Sequence, residues 1–336
     1  MKGNASSTWM RAAIGALALG AACALPPAQA GNLEPAGINL GGTSFFDGFG
    51  ATKPGLAYLG YYQYQHLNHI EDNNGNDSPG FKNPNIDVLL MLNQLAYTTD
   101  KTFFGGSAHL GFTGLLPLLR FDPSFDATSL NKLNSENGFG DLTLGAYLQF
   151  NPVFSGGRPV YSQRMELDVI VPTGKYSSAY DINPGSGFWS INPYWAGTWL
   201  PTPKTELSWR LNYLYNFSNN NPRDPAHFGL TSDKAGQAAW VNFTASYAVN
   251  PELHVGLNGY YFQQFTNDTY SYQSGVTPQA ELPYGDTGKA SVLAIGPGVF
   301  WKADEKNMWF VNLYDQVQAK NHARGTVLNV HWVHPF

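Results

Sequence analysis

The chain has 336 residues, of which 13% are charged and 15% are aromatic, and its formal net charge at pH 7 is −5. Soluble domains carry roughly 25% charged residues, so this composition is not typical of a soluble globular protein. The absence of a basic patch argues against nucleic-acid binding. After residue 30, no run of roughly 18 apolar residues occurs, which excludes membrane-spanning helices.

The amino terminus has the parts of a secretory signal peptide. The basic residues Lys2 and Arg11 precede a short apolar stretch rich in alanine. Ala28-Gln29-Ala30 is an A-x-A cleavage site. We therefore predict that residues 1–30 are a signal peptide. The only cysteine, Cys23, lies in this segment, so the mature chain has no disulfide and no thiolate metal site.

The rest of the sequence alternates between apolar and polar residues with the period of two that is typical of β-strands. In segment 205–217, for example, Leu207 and Trp209 alternate with Ser208 and Arg210. In a transmembrane barrel the apolar set faces lipid and the polar set faces the lumen. Run 88–92 is an exception, because it is apolar on both faces. Twelve segments are predicted as strands: roughly 56–67, 85–98, 103–116, 140–150, 160–171, 188–199, 205–217, 237–249, 252–265, 289–302, 307–319 and 324–336.

Connection lengths also alternate along the chain. Those after the second, sixth, eighth and tenth segments are short, whereas those after the first, third, fifth, seventh and ninth are long, such as 68–84. Outer-membrane barrels have tight periplasmic turns and long outer loops. The last strand ends at Phe336, which resembles the insertion signal of bacterial outer-membrane barrels. We predict an all-β, antiparallel transmembrane barrel of about 12 strands over residues 56–336, in the bacterial outer membrane, with both termini periplasmic.

The segment between the signal peptide and the first strand, residues 31–55, is too long for a simple lead-in. It carries three phenylalanines and one carboxylate close together, namely Phe45, Phe46, Phe49 and Asp47. We predict that this N-terminal segment folds into the lumen as a plug.

An ordered series of short motifs runs from about Gly37 to the end of the chain. The motifs are Gly138-Phe139-Gly140-Asp141-Leu142, Val171-Pro172-Thr173-Gly174-Lys175-Tyr176, Asn183-Pro184-Gly185, Glu206-Leu207-Ser208, Gly259-Tyr260-Tyr261-Phe262-Gln263-Gln264 and Ala294-Ile295-Gly296-Pro297. Together they resemble the outer-membrane protein family named for the meta-pathway of phenol degradation, also called SphA-like transporters. The resemblance implies a barrel that imports small hydrophobic, often aromatic, compounds.

The partners expected of such a barrel are a small hydrophobic or aromatic solute, outer-membrane lipid and lipopolysaccharide. The barrel-assembly machinery is expected to act during insertion. No nucleic acid and no cofactor are expected.

Lumen-facing polar and aromatic residues are the candidates for a solute path. They are Arg164, Glu166, Asp168, Glu206, Arg210, Asn258, Tyr260, Phe262, Gln264, Phe310, Asn312 and Tyr314. Aromatic faces beside amides suit a small apolar ligand with one polar group, and they suit simple lumen packing equally well. For the charged residues, an ion-pair network that holds the shape of the barrel is the favoured interpretation, because charges in apolar surroundings must be paired.

The sequence therefore predicts passive uptake of small hydrophobic, in particular aromatic, compounds. The alternatives are a narrow hydrophilic channel, a barrel enzyme that acts on lipid, and a structural or adhesive barrel. No motif specifies a catalytic centre, so no catalytic residue is assigned and the protein is not expected to be an enzyme. His66, His69, Glu71 and Asp72 are candidates for a divalent-metal cluster, but solvated loop polarity is favoured and no metal site is assigned.

Overall fold

The structure, a computed structural model, describes residue 35 and residues 37–224, 229–275 and 289–336. The predicted signal peptide, residues 1–30, lies outside these residues. Within the described ranges the one helical element is a three-residue 3-10 turn at Phe104–Gly106. No helix of the described chain is long and apolar enough to cross a membrane.

Twelve antiparallel strands close into a barrel, which confirms the predicted fold class. They are β1 (Gly55–Ile70), β2 (Asn85–Phe103), β3 (Ala108–Ser124), β4 (Leu142–Phe150), β5 (Arg158–Val171), β6 (Ser190–Thr202), β7 (Thr205–Asn216), β8 (Ala238–Ala248), β9 (Leu253–Gln264), β10 (Ser291–Lys302), β11 (Met308–Lys320) and β12 (Ala323–Pro335). Each strand pairs with its sequence neighbours. The barrel closes where β1 pairs with β12, from Ala57↔Pro335 to Ile70↔Ala323.

The hairpin of β2 and β3 is longer than the alternation of the sequence indicates. β2 continues to Phe103, and β3 runs to Ser124 instead of ending near residue 116. β3 passes through Pro117 because the missing N–H of this residue faces away from β2. On that side the carbonyl of Pro117 accepts a hydrogen bond from Gly140 N, and only the two-residue strand Gly138–Phe139 pairs there.

The two ends of the barrel differ in their connections. The start of β1, the end of β12 and five connections lie at one end, which we call the turn end. The connections at the opposite end, the loop end, are long except for the turn at residues 321–322. At the turn end, the connection from β4 to β5 is a hairpin around Gly156 and Gly157, whose φ angles of 60° and 78° suit the central pair of a type I′ turn.

Side chains on the strands alternate between an exposed outer face and a buried inner face. In β7, Leu207 and Leu211 are 40% and 45% exposed, whereas Glu206, Ser208 and Asn212 are buried. The outer face presents apolar and aromatic side chains to lipid, as a barrel in a bilayer requires. The buried core of this protein therefore lies inside the lumen.

Candidate functional site

Residues 37–49, which we call the lumen segment, lie inside the barrel. Two wall amides hold this segment on one side: Asn242 Nδ2 of β8 donates to Thr43 Oγ1 at 3.1 Å, and Asn312 Nδ2 of β11 donates to Ser44 Oγ at 3.1 Å. Paired polar groups of this kind are what burial requires. The inward-facing amides of the wall thus have their hydrogen-bond partners in a part of the same chain.

Gly48 fixes the other side of the lumen segment. Its N–H donates to Thr198 Oγ1 at 2.9 Å, and its carbonyl accepts from Ser162 Oγ at 2.8 Å and from Gln149 Nε2 at 3.0 Å. A Cβ at this position would lie 2.4 Å from the carbonyl oxygen of Ser162, so only glycine approaches the wall this closely. The lumen segment therefore bridges the lumen from β4–β6 to β8 and β11.

A buried ion pair joins the lumen segment to β7. Arg210 Nη2 lies 2.5 Å from Asp47 Oδ1, and Arg210 Nε donates to Asp47 Oδ2 at 3.0 Å. The guanidinium also stacks on Tyr194, with its carbon 4.2 Å from the ring centroid. Only 12% of the Arg210 side chain and 6% of the Asp47 side chain are exposed. Because two nitrogens of the guanidinium contact two oxygens of the carboxylate, the pair fixes the relative orientation of Arg210 and Asp47 as well as neutralising their charges.

The predicted charged residues of β5 all face the lumen. Arg164 Nη2 lies 2.5 Å from Glu166 Oε2, and the guanidinium carbon stacks 3.6 Å from the ring centroid of Tyr147. Asp168 is buried, and its Oδ1 has no hydrogen-bond partner among the described residues. The structure therefore brings these charges into one network, in which Asp168 is the least satisfied member.

Glu206 of β7 is the remaining predicted charge, and it lies nearer the turn end. It is 1% exposed and accepts hydrogen bonds from Phe46 N at 2.5 Å, from Ser208 Oγ at 2.6 Å and from Ser246 Oγ at 2.6 Å. One of these donors belongs to the lumen segment. Glu206 and Arg210 thus both position that segment.

The predicted residues of β9 and β11 are also all buried in the lumen. They are Asn258, Tyr260, Phe262, Gln264, Phe310, Asn312 and Tyr314. Tyr314 OH donates to the carbonyl of Gly41 at 3.0 Å, and Asn258 Nδ2 donates to Asn312 Oδ1 at 2.5 Å. Tyr260 and Tyr314 meet edge to face, with centroids 5.4 Å apart. These side chains are packed against each other and the lumen segment.

An apolar inner wall on β1–β3 was missing from the candidate residues. It consists of Tyr61, Leu67, Ile70, Ile86, Val88, Leu90, Leu92, Leu119 and Phe121. Phe81, Phe125, Leu133 and Ile182 of the loops pack against it, so the surface continues from the loop end into the lumen. The two-sided apolar run 88–92 was the signal in the sequence, because its inward half forms part of this wall.

A narrow cavity remains between the apolar inner wall and the lumen segment. Leu92 and Leu115, Ile38 of the lumen segment, and the charged residues Asp168 and Arg210 line it. Its volume is about 50 Å³. That volume holds a few water molecules, whereas a benzene-sized ligand occupies a cavity of roughly 150 Å³. This cavity is therefore too small for an aromatic ring.

The outer surface carries a larger depression of about 750 Å³. It lies beside Pro193, where the pairing of β6 with β7 lapses between Ile191↔Tyr215 and Tyr194↔Asn212. Pro193 has no N–H to offer to the neighbouring strand. The depression is lined mostly by lipid-facing apolar side chains, and at its base it reaches the buried residues Tyr147, Glu166, Tyr194 and Asn212.

The predicted metal candidates do not gather into one cluster. His66 Nδ1 lies 2.9 Å from Asp87 Oδ1, away from the other candidates. His69, Glu71 and Asp77 place ligand atoms within 4.8 Å of one another. His69 already contacts Asp77 at 2.7 Å, and Arg324 contacts Glu71 at 2.6 Å. These contacts satisfy the polar groups internally, and we assign no metal to them.

At the loop end, the short strands Leu230–Lys234 and Thr269–Tyr272 pair to form a separate two-stranded antiparallel sheet. Asp233 in this sheet is 6% exposed, and within the described part of the chain its Oδ1 has no hydrogen-bond partner. Burial raises the pKa of the Asp233 carboxyl to about 6. A protonated carboxyl therefore suits this site better than a carboxylate.

The raised pKa of Asp233 predicts that the outer loops lose stability as pH rises. A carboxyl whose pKa is raised in the folded state contributes its full stabilisation below its unfolded pKa, near 4. That stabilisation is lost as the pH rises through about 6, because the buried carboxyl then has to ionise. The resulting change in the free energy of unfolding is at most about 3 kcal/mol. We expect limited proteolysis to cut residues 217–237 faster at pH 7.5 than at pH 5, and Asp233→Asn to remove most of the difference. A difference that persists in Asp233→Asn contradicts the assignment.

Comparisons with known proteins agree with this architecture. The fold is similar to the COG4313 outer membrane channel from Pseudomonas putida F1, with a TM-score of 0.70 and 16% sequence identity over 89% of this chain and 100% of that chain. The beta domain of the Bordetella autotransporter BrkA has a TM-score of 0.43 at 13% identity, covering 84% of this chain and 99% of its own. The TodX monoaromatic hydrocarbon channel has a TM-score of 0.39 at 9% identity, covering 84% of this chain and 89% of its own.

The first of these likenesses supports the fold, and the other two are too distant to carry an argument. A search of curated proteins gives no match. The closed barrel confirms the predicted location in the bacterial outer membrane. A family model matches residues 68–332, from the end of β1 into β12, which confirms the resemblance found in the sequence. The chain belongs to the family described as "Putative MetA-pathway of phenol degradation".

Proposed function

We propose that this protein is an outer-membrane channel for the passive uptake of small hydrophobic compounds, in particular aromatic ones. The apolar inner wall on β1–β3 carries the proposal. It leads from loop residues such as Phe81 to Leu92 in the lumen without a charged side chain among its members. Ligand sites for apolar compounds are lined in this way, with a few polar groups that fix orientation.

The route follows from the order of the surfaces along the lumen. A solute collects among the apolar loop side chains, where Phe81 and Phe125 lie 5.6 Å apart by their centroids. It then passes along the apolar inner wall to the lumen segment. The remaining cavity is too small for a ring, so the lumen segment has to move before the solute proceeds. No energy source is needed, because the step is diffusion down a gradient.

A narrow hydrophilic channel is the second candidate. The polar side of the narrow cavity, with Asp168 and Arg210, is the observation in its favour. However, Arg210 is neutralised by Asp47, and Arg164 is neutralised by Glu166. Paired charges hold a closed lumen together rather than attract a permeating ion.

An uptake assay separates the two candidates. The chain from Gly31 is refolded into vesicles whose outer leaflet contains lipopolysaccharide, which slows unaided diffusion of apolar solutes. Uptake of a labelled aromatic hydrocarbon is compared with that of a sugar of similar size, with protein-free vesicles as background. We expect selective uptake of the aromatic compound. Preferential uptake of the sugar would establish the hydrophilic channel, and uptake of neither would favour an enzymatic or structural barrel.

A substitution in the apolar inner wall tests the route itself. Leu90 is 5% exposed and faces the lumen. Leu90→Asn places an amide on an apolar surface, which costs about 1–3 kcal/mol for an unpaired polar group in protein surroundings. We expect aromatic uptake to fall roughly tenfold. Leu90→Met conserves volume and apolarity, so it is the matched control and should retain uptake. Equal uptake by the two variants would contradict the route.

A further inference from the structure

A row of aromatic side chains crosses four neighbouring strands at the turn end of the lumen. His254 of β9 lies directly opposite Phe300 of β10, Phe300 lies opposite Phe310 of β11, and Phe310 lies opposite His331 of β12. Directly opposed residues on one face of a sheet are in side-chain contact. We call these four residues the aromatic cage. All four are buried at 6–9% exposure and face the lumen.

The lumen segment inserts two phenyl rings into the aromatic cage. The Phe45 ring lies 6.3 Å from that of Phe300 and 6.5 Å from that of Phe310. The Phe46 ring lies 5.1 Å from that of Phe300 and 4.9 Å from the imidazole of His254, edge to face in both cases. Centroid separations of 4.5–7 Å are those of favourable aromatic pairs. The wall at this level therefore packs against aromatic rings, and both rings belong to the lumen segment.

The histidines of the aromatic cage hold unused hydrogen-bonding atoms. Neither His331 Nδ1 nor His331 Nε2 has a partner in the described ranges, and the same is true of His254 Nδ1. The nearest acid to His254 Nδ1 is Glu206 Oε2 at 3.9 Å, beyond hydrogen-bond distance. A buried polar group without a partner costs about 1–3 kcal/mol. If packing were the only purpose of this row, phenylalanine would avoid that cost.

His331 is held in a fixed orientation in spite of its missing partners. Its ring stacks on Tyr61 of β1, with centroids 4.1 Å apart and planes 9° apart, and on Phe310, with centroids 4.7 Å apart. A neutral imidazole presents one donor and one acceptor nitrogen. A hydroxyl group is both donor and acceptor, so it matches either nitrogen of His331.

We propose that the aromatic cage is a binding site for an aromatic compound that carries a hydroxyl group, and that Phe45 and Phe46 fill this site while the lumen is closed. The proposal rests on the uptake function proposed above and names the site and the solute class for it. Exchange of a phenyl ring of the chain for the ring of the solute leaves the buried apolar area nearly unchanged. The solute then adds the hydrogen bond that the imidazole lacks. Because both compete for one site, solute binding displaces the lumen segment, and displacement strengthens solute binding.

The test compares uptake of 1-naphthol and naphthalene by the chain from Gly31 in the vesicles described above. His331→Phe keeps the stacked ring and removes both nitrogens. We expect the ratio of 1-naphthol to naphthalene uptake to fall roughly 3–10-fold, because the variant cannot form the hydrogen bond to the hydroxyl group of 1-naphthol. Phe300→Leu keeps the volume and removes the aromatic face, and it should lower uptake of both compounds. Phe112→Ala, on the lipid-facing side of β3, is the control and should change neither.

Two results would overturn the proposal: an unchanged ratio in His331→Phe, or unchanged uptake in Phe300→Leu. Heat-modifiable mobility on gels shows for each variant that the barrel has folded. Failure of this inference differs from failure of the proposed function. In the first case the wild-type chain takes up aromatic compounds and the cage variants behave like it. In the second case the wild-type chain takes up neither compound.

Discussion

Deletion of residues 32–51 is expected to raise the ion conductance of the refolded barrel several-fold and to admit solutes that the full chain excludes. The reason is the plug role that we propose for the lumen segment. With the segment present the lumen retains a cavity of about 50 Å³ beside it. The deletion removes the residues that contact β4–β8 and β11, including Gly48 and Asp47. Barrels of 8 strands fill with side chains, and a 12-stranded barrel is wider.

The wall is expected to survive the deletion. Each strand is hydrogen-bonded to two neighbours, and the barrel is closed without the lumen segment. The wall groups that lose partners are mostly polar, such as Asn242 and Asn312, and water that enters the lumen can satisfy them. Single-channel recording in planar bilayers measures the effect, and deletion of residues 32–34 alone is the control. If conductance and solute flux matched those of the full chain, the lumen segment would not be the plug.

The strand order and the two faces of the wall were predictable from the sequence because both depend on local patterns. Alternation with a period of two shows which side chains share a face, and β7 follows it except at Leu214, an apolar residue on the inward face. The limits of β2 and β3 were not predictable in this way. Thr98 to Phe103 carry no alternation, and the register shifts between Thr98 and Thr102, which is typical of a bulge.

The candidate site was predictable as a set of inward residues but not as a set of contacts. Phe46 N meets Glu206 across 160 positions of sequence, and Asn312 meets Ser44 across 268. No local pattern encodes contacts of that separation. The aromatic cage illustrates the same limit. His331 and Phe310 lie opposite each other only in one register, and alternation fixes the face of a residue without fixing its partner.

The ion pair between Asp47 and Arg210 is expected to be the strongest single anchor of the lumen segment. Asp47→Asn removes one charge and leaves Arg210 buried beside Tyr194 without its counter-ion. Breaking a buried pair by removal of one partner costs about 3–5 kcal/mol. Asp47 lies outside the strands, so this cost falls on docking of the segment and not on the wall. A loss of about 3 kcal/mol corresponds to a rise of roughly a hundredfold in the undocked population.

Labelling of a cysteine in the lumen segment measures that population. The chain from Gly31 contains no cysteine, so Ser44→Cys introduces a single thiol at a position that is 5% exposed. We expect a maleimide to react much faster when Asp47→Asn is added. Asp304→Asn, which removes an exposed charge in the turn between β10 and β11, is the matched control and should leave the rate unchanged. Equal rates in the two variants would mean that the hydrogen bonds of Gly48 and the wall amides hold the segment without help from the ion pair.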